Sequence, residues 1–446
     1  MRRALRAREY RLPRTGHPDR RVALAGQRRC QPGRHIVRSR GRARGFPLIW
    51  DAVVVGAGPA GATTALLLAR AGASVLLLDR SRFPRDKPCS EYLSPATTDV
   101  LERLGAGLLG AVERTTHAKL YGMKVVAPGG TAMIGRFRGA SRPYSLAVPR
   151  TSFDAILVAA AARAGAEVRE SVTVENLVWQ DGRVAGVVAR SCNGQRVTCH
   201  GRFVVGADGL RSVVARRLGL VRHSPPRRVA FTAHVADVAG VDEIGELHVS
   251  DRGYVGLGAV GGGITTVALV LPLRDVRRSR RDYRAEFFAE LDRFPGLAGR
   301  FDPRRQVRAV LATGPFAQWA RVAAVPGALL VGDAADFFDP FTGQGIHTAL
   351  RGAELAAACL THGLAPGVSA TTSLQSYERA RRRALRGKWL LERLIGLGVG
   401  SPALTDRVVA RLARRPDLAD LLVSVTGNLL PARRVLTPRV LARLLW

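Results

Sequence analysis

Three acids in this sequence each stand at the end of an apolar run, Asp79, Asp208 and Asp333, the last two beside a glycine. Asp79 is set up to hold the hydroxyl pair of a ribose. It closes the stretch Trp50–Asp79, which also contains Gly56-Ala57-Gly58-Pro59-Ala60-Gly61. Gly56 suits a tight turn, Gly58 lets backbone approach a pyrophosphate, and Gly61 lets a helix pack close to a sheet. The free N–H groups at that helix start favour phosphate. Glycines alone would be a weak signal. Here an apolar run (Ala52–Val55), the glycine turn, a small-residue helix (Ala62 to Ala71), a second run (Ser74–Leu78) and the acid follow in about thirty residues, as a dinucleotide-binding unit requires.

The same device returns twice. A buried strand from Arg196 to Val205 ends in Gly206-Ala207-Asp208-Gly209-Leu210-Arg211-Ser212, then a helix through Leu218. Asp208 is placed to touch a ribose or a structural backbone group. The run from Ala328 delivers Asp333, and Pro340-Phe-Thr-Gly343-Gln344-Gly345-Ile346-His347 opens a helix to Leu360. Free N–H groups there could face a flavin carbonyl and stabilise negative charge on a reduced ring. His347, one turn into an apolar helix, reads as structural. Cys89 lies in a proline-rich loop leaving the nucleotide motif, where ligands of open α/β sheets sit, and reads as a cofactor or substrate contact.

Other elements position these residues. Residues 96–112 read as a helix, and Ala118 to Ala147 as short strands with glycine turns. A strong helix runs to Ala164, with Thr151 or Ser152 as N-cap and Gly165 as its stop. Ala166–Val174 and Gly182–Ala189 read as strands joined by a hairpin turn at Gln180–Arg183. Val229–Val235, Gly245–Ser250, Gly253–Val260 and Gly263–Leu271 read as a second sheet suited to wall a substrate pocket. A charged helical stretch spans 275–300. The tail from 367 is helical, strongly basic over Arg379–Arg386, amphipathic over Trp389–Leu397, and broken by Pro402, Pro416, Pro431 and Pro438.

The chain has 446 residues, 47% of them hydrophobic, enough for two or three domains with cores. Five scattered cysteines without a CxxC pair suggest no metal site, no disulfide framework and a reducing cytoplasm. No run approaches the ~18 apolar residues of a membrane span. Of the net charge of +34, residues 1–50 carry +13, fifteen arginines against Glu9 and Asp19, and the remainder carries +21. That segment lacks periodicity and reads as a disordered basic tail or a mis-assigned start. A specific nucleic-acid role is not expected. The basic C-terminal helices could still make peripheral membrane contact.

Together, Asp51–Asp79, Gly206–Ser212 and Val331–Ile346 resemble, in order, flavin enzymes of the para-hydroxybenzoate hydroxylase fold, over roughly 49–365. The resemblance implies an α/β fold: a Rossmann-like FAD-binding domain of glutathione-reductase type, an inserted antiparallel β-sheet substrate domain and a helical C-terminal tail. The expected division is 49–112, 148–224 and 311–365 for FAD, 113–147 and 225–310 for substrate, and 366–446 as a cap, after the segment 1–48. It implies FAD bound non-covalently. Gly56, Gly58, Ala60 and Gly61 would lie at the pyrophosphate and Asp79 at the adenosine ribose. Arg150 would contact FAD, Val174 would meet the adenine through its backbone, Asp333 would hold the ribityl chain, and Gly345 and Ile346 would lie near the flavin carbonyl. Pro59, Arg80, Asp208, Gly209, Pro340, Gly343 and Gln344 complete the expected cofactor contacts.

Phe83–Cys89 and Asp339–Gly345 look most like the geranylgeranyl-reductase-type branch, in which Cys89 and Ser90 would sit at the flavin. The chain departs from that branch twice. Its Cys-Gly-Gly is Cys89-Ser90-Glu91, and Gly253-Tyr254-Val-Gly-Leu-Gly258 replaces a Tyr-x-Trp-x-Phe-Pro strand. The Trp-x-Trp-x-Ile-Pro of halogenases is absent. Cys89–Pro95 is similar to oxidoreductases of actinobacterial polyketide pathways. The leading expectation is an FAD-dependent monooxygenase that uses NAD(P)H and O₂ on a small hydrophobic, aromatic or polyketide-type substrate, with no single catalytic residue evident. The rivals are a reductase of isoprenoid double bonds, which predicts a long apolar tunnel, and a non-catalytic flavin-binding protein, which would lack a substrate cavity.

Overall fold

The computed structural model describes residues 49–139, 141–225, 227–276 and 283–445. The basic segment 1–48, Cys30 and part of the charged stretch 275–300 lie outside them.

Strand Ile49–Val55 holds the centre of the first sheet because its residues are apolar on both faces. Val75–Leu78 and Arg196–Gly206 flank it in parallel, with Glu167–Arg169 and Ala328–Leu330 beyond them. A hairpin, Thr173–Gln180 and Arg183–Arg190, extends Arg196–Gly206. The glycine turns after Val55 and Gly206 therefore emerge side by side at the carboxyl ends of adjacent strands. Helices Pro59–Arg70, Arg150–Arg163 and Gly345–Leu364 cover this sheet and share its core.

The second sheet has seven strands in the order Gln306–Thr313, Arg228–Ala236, Ile264–Pro272, Gly253–Gly261, Gly245–Ser250, Gly122–Val126 and Ala132–Arg136. All neighbours are antiparallel except Gly245–Ser250 with Gly122–Val126. Alternation separates its faces. Ala233, Val235, Val255, Val267 and Leu269 pack on Phe287, Phe288 and Leu291 of helix Tyr283–Leu291. The opposite face, with Ala230, Thr232, Tyr254, Thr266, Ala268 and Val270, lines a cavity.

The tail forms helices Ala370–Val399, Pro402–Ala413, Pro416–Thr426 and Pro438–Leu445. Three of them begin at a proline, where the missing N–H costs no hydrogen bond. These helices clasp the edge strand Ala132–Arg136 and the turn before it. Asp406 accepts from Gly129 N and Asp420 from Arg136 N, each at 2.7 Å, and Ser424 Oγ accepts from Arg138 N at 2.9 Å.

Several local expectations are corrected. Residues 96–112 form two helices, Ala96–Leu104 and Leu108–Glu113, because Gly105, Ala106 and Gly107 all take positive φ. The next long helix starts at Arg150 after Pro149, one residue before the expected caps, and has no side-chain cap. The strand expected over Ala166–Val174 divides into Glu167–Arg169 and Thr173–Gln180, with Ser171 at φ 59° where the chain leaves the parallel sheet. Helix Tyr283–Leu291 is shorter than 275–300 and ends before Pro295 and Gly296.

Candidate cofactor and substrate site

The glycines of the first turn divide by what surrounds them. At Gly56 φ is +95°, and a Cβ would lie 2.5 Å from Ala207 O. At Gly61 a Cβ would lie 1.8 Å from Gly56 O. Both are required by the protein's own packing. Gly58 is not: φ is −74°, and a Cβ would meet nothing nearer than Arg85 Nη2 at 3.4 Å. Gly345, first residue of Gly345–Leu364, likewise has nothing within 4 Å. Both helix starts open on one cavity of about 740 Å³. A pyrophosphate fits at Gly58, where a side chain would otherwise stand.

Cations surround that space. Arg150 Nε and Nη2 donate to Asp154 Oδ1 and Oδ2 at 2.8 and 2.7 Å, and Arg85 Nη2 is 3.1 Å from Asp154 Oδ2. Burial alone would lower the Arg150 pKa, but Asp154 and then Cys89 outweigh it and keep the guanidinium charged. Lys87 lines the cavity; burial and then Arg150 push its pKa down. Burial raises the pKa of Asp333, against the pull of Lys87 and Arg150. Two guanidiniums that share the single carboxylate of Asp154 leave positive charge beside the helix start, which suits a pyrophosphate. Arg85 and Lys87 were not singled out from sequence, although both lie in the Phe83–Cys89 loop and their charge between prolines was the available signal.

Of the expected contacts, Gly58, Pro59, Ala60, Cys89, Ser90, Arg150, Gly209, Asp333, Pro340, Gly343, Gly345 and Ile346 line this cavity. Others stand behind its wall. Asp79 Oδ2 accepts from Ala57 N at 2.7 Å and Oδ1 from Ser81 N at 2.8 Å, so the acid braces the glycine turn. Asp208 Oδ2 accepts from Val213 N at 2.6 Å, capping the following helix, while Oδ1 is buried without a partner among the described residues. Gln344 is buried with Oε1 unpartnered, Val174 is buried in the core, and Arg80 is exposed. His347 is not among the lining residues, and burial pushes its pKa down to about 3, so its ring is neutral.

Beyond the cofactor loops the cavity wall carries a charged group that sequence did not reveal. Tyr254 Oη donates to Asp339 Oδ1 at 2.5 Å, and Arg228 Nη1 donates to Asp339 Oδ2 at 2.6 Å. Burial, and then the Asp339 charge, keep the Tyr254 hydroxyl protonated. Its ring meets Phe341 edge-on with centroids 5.0 Å apart.

The FAD binding domain model matches residues 50–388. The chain belongs to this FAD-binding family of flavoprotein oxidoreductases. It is 33% identical over 328 residues to a menaquinone reductase of Mycolicibacterium smegmatis, covering 70% of this chain and 76% of that protein. It is 30% identical over 380 residues to digeranylgeranylglycerophospholipid reductase 2 of Methanothermobacter thermautotrophicus, covering 83% and 93%. In fold it is similar to the myxobacterial chondrochloren halogenase CndH, with a TM-score of 0.72, 23% identity and 85% and 93% coverage. In this flavoprotein the glycine turns and the apolar face of the second sheet line one cavity.

Proposed function

We propose that this flavoprotein saturates carbon–carbon double bonds of a polyprenyl-type lipid, with NAD(P)H as electron donor. The carrying observation is the course of the cavity. From the FAD cradle it continues between the second sheet and the tail helices, along Val125, Met133, Leu391, Ile395, Val409 and Leu412. No small aromatic substrate needs such a channel, whereas an extended hydrocarbon fills it. FAD bound there and reduced by NAD(P)H would supply a hydride to one carbon of the double bond, with a proton from solvent completing the other. The protein excludes water, orients the chain and holds the cofactor's charge at Arg85, Lys87 and Arg150. The names of the two reductases above support this choice over hydroxylation, the leading expectation from sequence.

The route in follows from the same helices. Leu390, Leu394 and Leu397 form an exposed stripe on Ala370–Val399, at 50, 41 and 67% exposure, and the last two also line the cavity. Exposed Arg383 and Arg386 continue the stripe. A greasy mouth beside arginines suits uptake from an anionic lipid surface. A monooxygenase is the second reading, favoured by Gly256 and Gly258, which leave room for a ring system where the reductase branch carries aromatics.

The test is anaerobic turnover. Protein carrying FAD, reduced and mixed with geranylgeraniol, should yield product heavier by hydrogen pairs. Product heavier by oxygen, formed only in air, would favour the monooxygenase. A protein that never retains a flavin spectrum would sink both.

A further inference from the structure

Helix Ala370–Val399 turns one face to the cavity, and the chemistry of that face changes along its length. Lys388 and Glu392 line the cavity beside the cofactor loops; Ile395 and Val399 line it one and two turns further on. Residues three and four apart share a helix face, so one stripe runs from charged to apolar. Its charged end meets the turn that leads into the helix at Gly345. Thr342 Oγ1 donates to Glu392 Oε1 at 3.2 Å, and Lys388 Nζ lies 3.0 Å from the same oxygen. Among the described residues no bond falls on Oε2.

Glu392 is only 8% exposed, an unusual setting for a carboxyl at the head of an apolar channel. A buried ion pair contributes little net stability, because desolvation offsets the attraction. The helix does not need this pair as a tether either, since Arg381 and Trp389 already donate to Asp336. The charges around the carboxyl are Lys388 from its own helix and Asp336 from the cofactor loop. Burial raises its pKa, Lys388 pulls it back, and Asp336 adds to the rise.

Saturating a double bond takes a proton as well as a hydride, and a channel that excludes water needs a group to carry the proton in. We propose that Glu392 is that proton donor, with Lys388 and Thr342 holding Oε1 and the acidic proton on Oε2 directed into the channel. The O–H bond breaks as the π electrons of the substrate form a C–H bond with the proton. The hydride goes to the other carbon. Lys388 and Thr342 stabilise the carboxylate left behind, and solvent restores its proton between turnovers. This rests on the reading of the cavity as a polyprenyl-reductase site, and adds the acid that such a site requires.

The test uses the FAD-loaded full chain, its flavin reduced with dithionite and mixed anaerobically with geranylgeraniol. Glu392→Gln keeps an oxygen for Thr342 and Lys388. It should slow reoxidation of the flavin at least about 100-fold, with geranylgeraniol affinity of the oxidised protein unchanged. Glu392→Asp should recover part of the rate. In the parent the rate should fall as pH rises and the acid loses its proton, and that fall should vanish in Glu392→Gln. A carboxylate that only braced the helix would produce neither effect. Infrared difference spectra of oxidised parent against Glu392→Gln, at the pH of fastest reoxidation, should show the carbonyl band of a protonated carboxyl. Absence of that band, or a Glu392→Gln variant as fast as the parent, would overturn the proton donor and leave the lipid reading standing. A parent whose reduced flavin passes no hydrogen to geranylgeraniol would remove both.

Discussion

At Gly58 a missing methyl group has no purpose inside the protein. Gly58→Ala should fold with an unchanged apoprotein melting temperature, because the added Cβ meets only the far ends of Arg85 and Arg150, at 3.4 and 4.0 Å. FAD titration should show affinity about tenfold weaker, or ~1.4 kcal/mol, since the methyl stands where the pyrophosphate would approach. Gly61→Ala should behave oppositely. Its Cβ would collide with Gly56 O, and such overpacking costs about 1–3 kcal/mol or more. Thermal denaturation of the apoprotein would separate the two; equal destabilisation would contradict the assignment. Sequence made all three glycines of the turn legible as a group. It could not separate packing from ligand, because that depends on Ala207 and Arg85. Asp79 shows the same limit. Its position beside the turn could be read, but its two bonds to Ala57 N and Ser81 N depend on how the turn closes.

The strand that carries Glu246 shows how an element is held against acid. Arg300 Nη1 and Nη2 donate to its carboxylate at 2.9 and 2.8 Å, and His248 Nε2 lies 2.8 Å away. Burial alone would raise this pKa. The bonds from Arg300 and His248 prevail and hold it at about 2, against an ordinary 4.5. A depressed carboxylate stabilises the fold above its unfolded value and loses that contribution as pH falls. Melting temperature should therefore drop between about pH 4.5 and 2, with up to roughly 3 kcal/mol at stake. Glu246→Gln should already be destabilised at pH 7, by about 1–3 kcal/mol, and show a flatter acid limb. An acid limb as steep as the parent's would count against this cluster. Four strands of this sheet were legible to within a residue or two from alternation and glycine spacing, but its edge strand Gln306–Thr313 was not. Their pairing was not: nothing local joins Gly122–Val126 to Gly245–Ser250, so the sheet's order stayed hidden.

Over the whole molecule, the tail decides what the pocket can hold and where it opens. No described helix is long and apolar enough to cross a membrane. Under the proposed function, the exposed stripe Leu390, Leu394 and Leu397 would rest on one side of a bilayer. The parent should co-sediment with vesicles containing phosphatidylglycerol, less so in high salt as arginine contacts are screened. Leu394→Glu with Leu397→Glu should weaken that binding at least about tenfold, since burying one leucine contributes roughly 1.5–3 kcal/mol, without altering the flavin spectrum. Equal sedimentation of parent and variant would refute a lipid-facing mouth. From sequence the tail was legible as helices broken at prolines. Its first helix, unbroken from Ala370 to Val399, is tied beside the cofactor loops by Arg381 and Trp389, which both donate to Asp336, and no local pattern carries that contact.

The clasp between the tail and Ala132–Arg136 also orders events at the ribosome. Arg136 N and Asp420 are 284 residues apart, and Ser94 and Asn428, which share a 3.1 Å bond, are 334 apart. Chains emerge N-terminus first at about 5–20 residues per second. Both glycine turns and the helix at Gly345 leave the exit tunnel well before the helices that roof the cavity. For some seconds the nascent chain carries both glycine turns and the helix at Gly345 beside a sheet that the last three tail helices have yet to cover. Cofactor captured in that interval would enter through a side that is afterwards closed, so FAD supply during translation, rather than after it, would govern how much holoenzyme a cell obtains.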